Sequence, residues 1–217
     1  MENTNNEEIE TTQKTEEVVD ENVQEQIAES EDNKKKNKKE AIFREVCSWI
    51  AVVGFAIVAA YLINTFVIVN ANVPTGSMEN TIKEKSRIIG LRFAYWFDDP
   101  DRLDIIIFKA PDEPNKNYVK RVIGLPGEKV RIEDAKIYIT PADGGEEFEL
   151  EEDYLKEKWV VMAGPFEYEV PEDSYFVLGD NRNGSNDARY WVNKFVPEDD
   201  ILGQAVICYS PKIYKLK

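Results

Sequence analysis

At 217 residues, the chain is long enough for one apolar segment and one domain of roughly 150 residues with a sizeable core. Its net charge of −15 and its acidic first 33 residues argue against nucleic-acid binding, since phosphates would be repelled, and residues 70–217 contain no basic stripe. The chain has no histidine and only two cysteines, Cys47 and Cys208, which excludes the usual His/Cys zinc site and predicts no metal and no disulfide.

The first 33 residues form a strongly acidic head. They contain twelve Asp and Glu residues against one basic residue, Lys14, and no aromatic residue. A segment this charged and this poor in large apolar side chains cannot bury a core, so we expect residues 1–33 to be disordered. A solvated spacer is the favoured interpretation, and a partner-binding tail is the alternative.

Residues 46–69, VCSWIAVVGFAIVAAYLINTFVIV, form an uncharged run of 24 residues. This length predicts a transmembrane helix across a hydrocarbon core of roughly 30 Å. The preceding basic segment, 34–45, would stay in the cytoplasm, which predicts a single-pass cell-membrane protein with a cytoplasmic N-terminus and an extracytoplasmic domain over 70–217. A cleavable signal sequence is a weaker alternative, because the run is too long and starts more than forty residues into the chain. A buried core helix is the other alternative.

The exterior domain is predicted to be mainly antiparallel β-sheet. Runs rich in Val, Ile, Tyr and Phe are separated by turn residues, as is typical of such a fold. We expect a smaller β insertion over about 129–175, within which the middle of 146–163 could instead form a short helix. The aromatic stretch 93–97 fits either a core strand with a hairpin or an apolar loop dipping into the bilayer. The predicted strands lie in 87–93, 104–110, 118–125, 129–139, 174–180 and 203–209.

A candidate nucleophile, Ser77, follows the apolar run in the stretch NANVPTGSMENTIKEKSRI. Because the chain lacks histidine, a base for this hydroxyl must be a carboxylate or a lysine whose amine is kept neutral by burial. Lys120, in NYVKRVIGLPGE, is the lysine with the most apolar neighbours. In a strand, Lys120 and Arg121 point to opposite sides, so one can face inward while the other faces solvent.

A third polar segment, LGDNRNGSNDARYW, follows the apolar residues of 175–178. An ordinary turn would explain a polar loop after a strand, but this one is unusually dense in hydrogen-bonding groups. Asp187 and Arg189 are expected to form a charge-assisted pair that fixes the loop. Ser185 could then direct its hydroxyl at a neighbouring buried amine.

These three segments, in this order, resemble the sequence boxes of bacterial type I (leader) signal peptidases of the Ser-Lys kind. PTGSMENTI is similar to the serine box, YVKRVIGLPGE to the lysine box and GDNRNGSNDAR to the loop box, while DRLDIIIFKAP resembles a strand between them. The resemblance covers about residues 46–210 and leaves out the acidic head. It implies a membrane-bound serine endopeptidase with a signal-peptidase β fold.

The resemblance also implies residue roles. Ser77 would attack the scissile carbonyl and Lys120 would act as general base and then as proton donor. The Ser77 main-chain N–H and the Thr75 hydroxyl would form the oxyanion hole. Ser185 would orient Lys120. The remaining loop residues would hold the loop in shape: Asp180, Asn181, Asp187 and Arg189.

The implied substrates are secretory preproteins with small residues one and three positions before the cut, held in shallow pockets. Val73 and Val119 are the candidate pocket walls, and the substrate would add as an extended strand. The expected partners are therefore preproteins and the lipid bilayer, with no nucleic acid, and no cofactor is needed. Two alternatives remain, a Ser-Lys processing peptidase for a specialised class of membrane protein and an anchored, non-catalytic β binding module.

Overall fold

A computed structural model describes residues 34, 36, 38–40, 42–155 and 157–216 of the chain. The acidic head predicted over 1–33 lies outside these described residues. The described residues divide into two units, with the boundary between Ala60 and Tyr61. The second unit contains every strand and every residue of the candidate site described below.

One apolar helix, α1, runs over Lys38–Val67, with its last turn wound as a π-helix at Ile63–Val67. Its 30 residues correspond to about 45 Å at 1.5 Å per residue, which is enough to cross a membrane. The apolar run of the sequence extends two residues further, but Ile68 and Val69 belong to the first strand. Val69 is buried there at 5% exposure, because its side chain packs into the core of the β domain.

The larger sheet is antiparallel throughout and has the strand order β1-β2-β11-β3-β4-β9-β10, with β12 paired to β11. The prediction of a mainly antiparallel β fold is therefore confirmed, and the strands match the apolar runs of the sequence. Its strands are β1 Ile68–Val73, β2 Ser86–Leu91, β3 Ile105–Ala110, β4 Glu113–Gly124, β9 Ser174–Leu178, β10 Val196–Pro197, β11 Ile201–Ser210 and β12 Tyr214–Lys215.

The smaller sheet has four strands in the order β7-β6-β5-β8 and lies within the range expected for an insertion. Its strands are β5 Lys129–Glu133, β6 Lys136–Thr140, β7 Phe148–Glu149 and β8 Phe166–Glu169. Asp134 and Ala135 both have positive φ, 50° and 63°, as a two-residue hairpin turn requires. The described residues of 146–163 contain β7 and irregular chain but no helix, so the short helix considered there is wrong.

Two apolar clusters cover opposite faces of the β3–β4 pair. Ile106 and Phe108 belong to the first cluster, whereas Ile107 and Val119 belong to the second. Consequently the last six residues of β4 are all buried, on both faces of the strand. This double burial leaves Lys120, which lies in β4, only 4% exposed.

Candidate active site

Ser77 lies in a single 3₁₀ turn, Gly76–Met78, a few residues after β1. The turn is fixed to the domain because Met78 and Ile82 are fully buried in the second apolar cluster. The Ile82 N–H also donates to the Met78 carbonyl at 2.7 Å. Ser77 itself is only 6% exposed, so its hydroxyl belongs to a built site and not to a free linker.

Lys120 reaches this hydroxyl from β4. Its Nζ lies 2.7 Å from Ser77 Oγ and 3.1 Å from the Val119 carbonyl oxygen. The residue is 4% exposed, and the Tyr118 ring lies 5.7 Å from Nζ. The two side chains that the sequence proposed as nucleophile and base are therefore in hydrogen-bond contact, 43 residues apart in the chain.

Burial lowers the pKa of Lys120 from 10.5 to about 8, because an ammonium ion is poorly stabilised away from water. The carboxylates of Asp187 and Asp180 act in the opposite direction and raise the pKa of Lys120, but burial is the larger effect. An amine with a pKa near 8 is neutral in about a tenth of molecules at pH 7. The site therefore supplies an uncharged base next to a hydroxyl at physiological pH.

The segment after β9 holds the serine turn by its backbone. The Asn181 N–H donates to the Ser77 carbonyl at 3.1 Å, and Asn181 Nδ2 donates to the Gly76 carbonyl at 3.0 Å. At Gly179 a Cβ would come within 2.5 Å of the Ser77 carbonyl oxygen. Only glycine allows the two backbones to approach this closely.

Asp180 is fully buried and pairs with Arg121, through contacts of 2.9 Å to Nε and 2.7 Å to Nη2. It also accepts a short hydrogen bond from the Thr81 hydroxyl. The expectation that only one of Lys120 and Arg121 faces inward is wrong, because Arg121 is only 2% exposed. Alternation does separate the two side chains, but both faces of β4 are covered.

The ion pair predicted between Asp187 and Arg189 is present. Arg189 donates from Nε to Oδ1 and from Nη2 to Oδ2, both at 2.8 Å, and neither side chain is exposed. Asp187 Oδ2 also accepts the Gly179 N–H at 3.1 Å. The pair therefore fixes the same glycine that packs against the serine turn.

Ser185 does not make the hydrogen bond to Lys120 that the sequence suggested. Its Oγ is buried and has no hydrogen-bond partner among the described residues. The hydroxyl packs against the Gly179 backbone, where a Cβ would lie 2.2 Å from Oγ. Ser185 therefore lies in the space that Gly179 leaves open, and the expected bond to Lys120 is not formed.

A cleft of about 460 Å³ opens above the Ser77–Lys120 pair. Val73 and Val119, the proposed pocket walls, both line it, as does Thr75. The Thr75 hydroxyl lies 3.4 Å from Ser77 Oγ and donates to it. The cleft is thus bordered by β1 on one side and β4 on the other, with the pair at its floor.

Several buried residues beside the site were missed from the sequence. Arg182 is 2% exposed and binds Glu152, whose neighbours in the sequence are mostly acidic. The sequence alone does not distinguish Glu152 from the exposed acidic residues beside it, since they carry the same charge. The one feature that could have indicated a buried segment is the presence of two aromatic residues, Tyr154 and Trp159, in a stretch otherwise rich in charge.

Comparisons with known proteins show which family the chain resembles. Residues 46–210 match the family described as signal peptidase, peptidase S26. The chain is 37% identical to a probable signal peptidase I-2 of Synechocystis sp. over 72% of this chain and 69% of that one. It is 38% identical to a signal peptidase I of Leptolyngbya laminosa over 75% and 78% of the two chains. A solved signal peptidase I of Enterococcus faecalis is 36% identical, covering 49% of this chain and 97% of that one, with a TM-score of 0.40.

Proposed function

The chain belongs to the signal peptidase family, peptidase S26, and we propose that it removes signal peptides from secretory preproteins with Ser77 as nucleophile and Lys120 as general base. The observation that carries this proposal is the 2.7 Å contact between Ser77 Oγ and a buried Lys120 amine. Burial lowers the pKa of that amine to about 8. Histidine is absent from the chain, so no conventional Ser-His pairing is available.

In the proposed reaction, the neutral Lys120 amine takes the proton from Ser77 Oγ as the oxygen attacks the scissile carbonyl. The resulting ammonium then gives that proton to the amine of the leaving chain, which frees the mature protein and leaves an acyl-Ser77 ester. A water molecule, deprotonated by the same amine, would hydrolyse the ester and release the signal peptide, and the ammonium would return its proton to Ser77 Oγ. The proton balance closes within one lysine.

The Ser77 main-chain N–H and the Thr75 hydroxyl would stabilise the oxyanion. Thr75 borders the cleft beside Ser77, which supports this assignment. Removing one such donor typically lowers the rate about 10²- to 10³-fold. Thr75→Val, which keeps the shape and removes the hydroxyl, is therefore expected to reduce kcat much more than substrate affinity.

A substrate strand would lie in the cleft between β1 and β4, where main-chain groups can bind it as an added strand. Val73 and Val119 would then limit the size of the side chains that precede the cut. One large side chain in place of a small one would clash with these walls, which accounts for a preference for small residues. A second Ser-Lys function, restricted to a special class of membrane protein, would require a different preference.

We place the enzyme in the membrane through α1, with residues 34–45 in the cytoplasm and the β domain outside. The length and apolar composition of α1 and the basic residues before it support this topology. Ser77 follows the end of α1 by only ten residues of sequence. Cleavage would then take place close to the outer membrane surface, where a signal helix ends.

The test is a cleavage assay on a preprotein with the full chain in detergent. Ser77→Ala and Lys120→Ala should each reduce cleavage to background, while near-ultraviolet circular dichroism stays that of the native chain. An exposed lysine, changed as Lys212→Ala, serves as the matched control. Retention of cleavage by either site variant, in a folded sample, would refute the dyad. A native chain that binds the preprotein but does not cleave it would favour a binding module.

A further inference from the structure

Three arginines stand buried around the candidate site. Arg121, Arg182 and Arg189 are each 2% exposed, and a buried guanidinium is costly unless it is paired. Two of them pair with carboxylates already assigned to the site, Asp180 and Asp187. The third, Arg182, takes its carboxylate from elsewhere in the chain.

That carboxylate belongs to Glu152, in an irregular stretch that we call the clamp segment, residues 152–155 and 157–161. Arg182 donates to both Glu152 oxygens, at 3.1 Å from Nη1 and through a short contact from Nη2. The side chains of Arg182 and Glu152 are 1% and 5% exposed. The Tyr154 hydroxyl donates to the same carboxylate at 2.7 Å.

The clamp segment also contacts the other two arginines. The Tyr154 ring lies 4.0 Å from the Arg121 guanidinium. The Trp159 ring lies 4.9 Å from Arg182 and 5.3 Å from Arg189, distances at which cations and aromatic faces attract. One segment of chain thus meets all three buried cations, through a carboxylate and two aromatic rings.

Arg182 connects this segment to the serine turn. Its Nε donates to the Gly179 carbonyl at 3.0 Å, and Gly179 packs directly against the Ser77 carbonyl. Asn181, two residues after Gly179, donates to the same Ser77 carbonyl and to the Gly76 carbonyl. A change in the position of Arg182 is therefore transmitted to the nucleophile through one residue.

We propose that Glu152 is a positioning residue for the reaction, acting through Arg182 and Gly179 to hold Ser77 against Lys120, and that the clamp segment is part of the active-site machinery. This inference rests on the proposed function of the dyad. Glu152 also supplies the negative charge that balances Arg182. Without it, the loop beside Lys120 would carry an unpaired cation.

The charged groups around Lys120 give this proposal a pH signature. Asp180 and Asp187 face it from the loop and raise its pKa, and each of these is already paired with an arginine; Tyr118 faces it from its own strand. Without Glu152, the positive charge of Arg182 would repel the ammonium form of Lys120. The ammonium form of Lys120 would then be less stable, and the pH midpoint of activity would move down.

The experiment compares Glu152→Gln with Glu149→Gln in the full chain. Both changes remove one carboxylate of an ion pair, but Glu149 pairs with Lys136 in an exposed position, with side chains about half exposed. Glu152→Gln should lower kcat at least about tenfold, the scale of a slightly misplaced nucleophile, with KM changed less than about twofold. Its pH midpoint should fall by about half a unit. Glu149→Gln should match the native chain in all three quantities.

Two further variants separate positioning from folding. Glu152→Asp keeps the charge but shortens the reach, so the native pH midpoint should return even where kcat stays reduced. If Glu152→Gln does not fold, the double variant Glu152→Gln with Arg182→Gln removes the unpaired charge. This double variant should regain the native pH midpoint of activity with a lowered kcat. Thermal unfolding of each sample gives the folded fraction.

Glu152→Gln with the kcat and pH midpoint of Glu149→Gln would overturn the proposal. So would a loss of activity fully accounted for by the unfolded fraction, with the midpoint unchanged. Lys120→Ala is assayed in parallel. Cleavage by Lys120→Ala would refute the dyad itself, whereas the difference between the two glutamate variants would still decide whether Glu152 positions the site.

Discussion

Replacing Lys120 with methionine should make the protein more stable at neutral pH. Methionine has a similar shape and no charge, so it removes the cost of keeping a protonated amine among apolar groups and carboxylates already paired with arginines. In the unfolded chain the lysine holds its proton up to about pH 10.5, whereas in the folded chain burial lowers the pKa to about 8. The native lysine thus costs stability at every pH at which the unfolded chain is protonated.

The size of the stability cost follows from the shift in the pKa of Lys120. The pKa difference between 10.5 and about 8 corresponds to about 3 kcal/mol at about 1.4 kcal/mol per unit. This cost is fully present below pH 8, falls as the pH rises, and is nearly gone at pH 10.5, where the unfolded lysine also loses its proton. The lost hydrogen bond to Ser77 Oγ offsets about 1 kcal/mol at all pH values.

The assay is equilibrium unfolding of the native chain and Lys120→Met in the same detergent, followed at several pH values between 7 and 10.5. The variant should be about 2 kcal/mol more stable than the native chain at pH 7, a rise in Tm of several degrees, and about 1 kcal/mol less stable by pH 10.5. All other titrating groups are common to both proteins and cancel. A stability difference that does not change with pH would refute the claim that the buried amine has a lowered pKa.

Three further predictions concern the reaction and its supports. The kcat/KM for a peptide substrate should rise tenfold per pH unit and level off above about pH 8, as Lys120 loses its proton; a flat profile between pH 6 and 10 would contradict this. Gly179→Ala should reduce kcat by about 10² or more, since its Cβ would clash with the Ser77 carbonyl, while Gly54→Ala, which has open space around it, should cleave normally. Asp180→Asn should lower the free energy of unfolding by about 3 kcal/mol or more, because it removes the charge of one partner in the buried Arg121–Asp180 ion pair; urea unfolding that matches the native chain would count against that network.

The strands were predictable because the β signal in this chain is local. Each run of Val, Ile and aromatic residues is bounded by turn residues, and β2, β3, β4, β9 and β11 fall within or overlap these runs. The end of α1 was not predictable, because Ile68 and Val69 are as apolar as the helix before them. Only pairing with β2 shows that they leave the helix.

The candidate pair could be found from the sequence because the lack of histidine left few bases to consider, and Lys120 was the lysine with the most apolar surroundings. The burial of Arg121 could not be predicted, since the sequence of a strand does not reveal that both of its faces are covered. Likewise, Glu152 looks like any of its acidic neighbours until the fold brings Arg182 to it. Charge networks between distant segments depend on tertiary contacts that composition and spacing do not encode.

The central claim is that Lys120 carries a neutral amine when it meets Ser77. Its most direct test is an NMR titration of the lysine Cε resonances in the full chain, with Lys120→Met identifying the Lys120 signal. The account predicts a midpoint near pH 8 for this one lysine. A midpoint near 10.5, that of an ordinary exposed lysine, would contradict it.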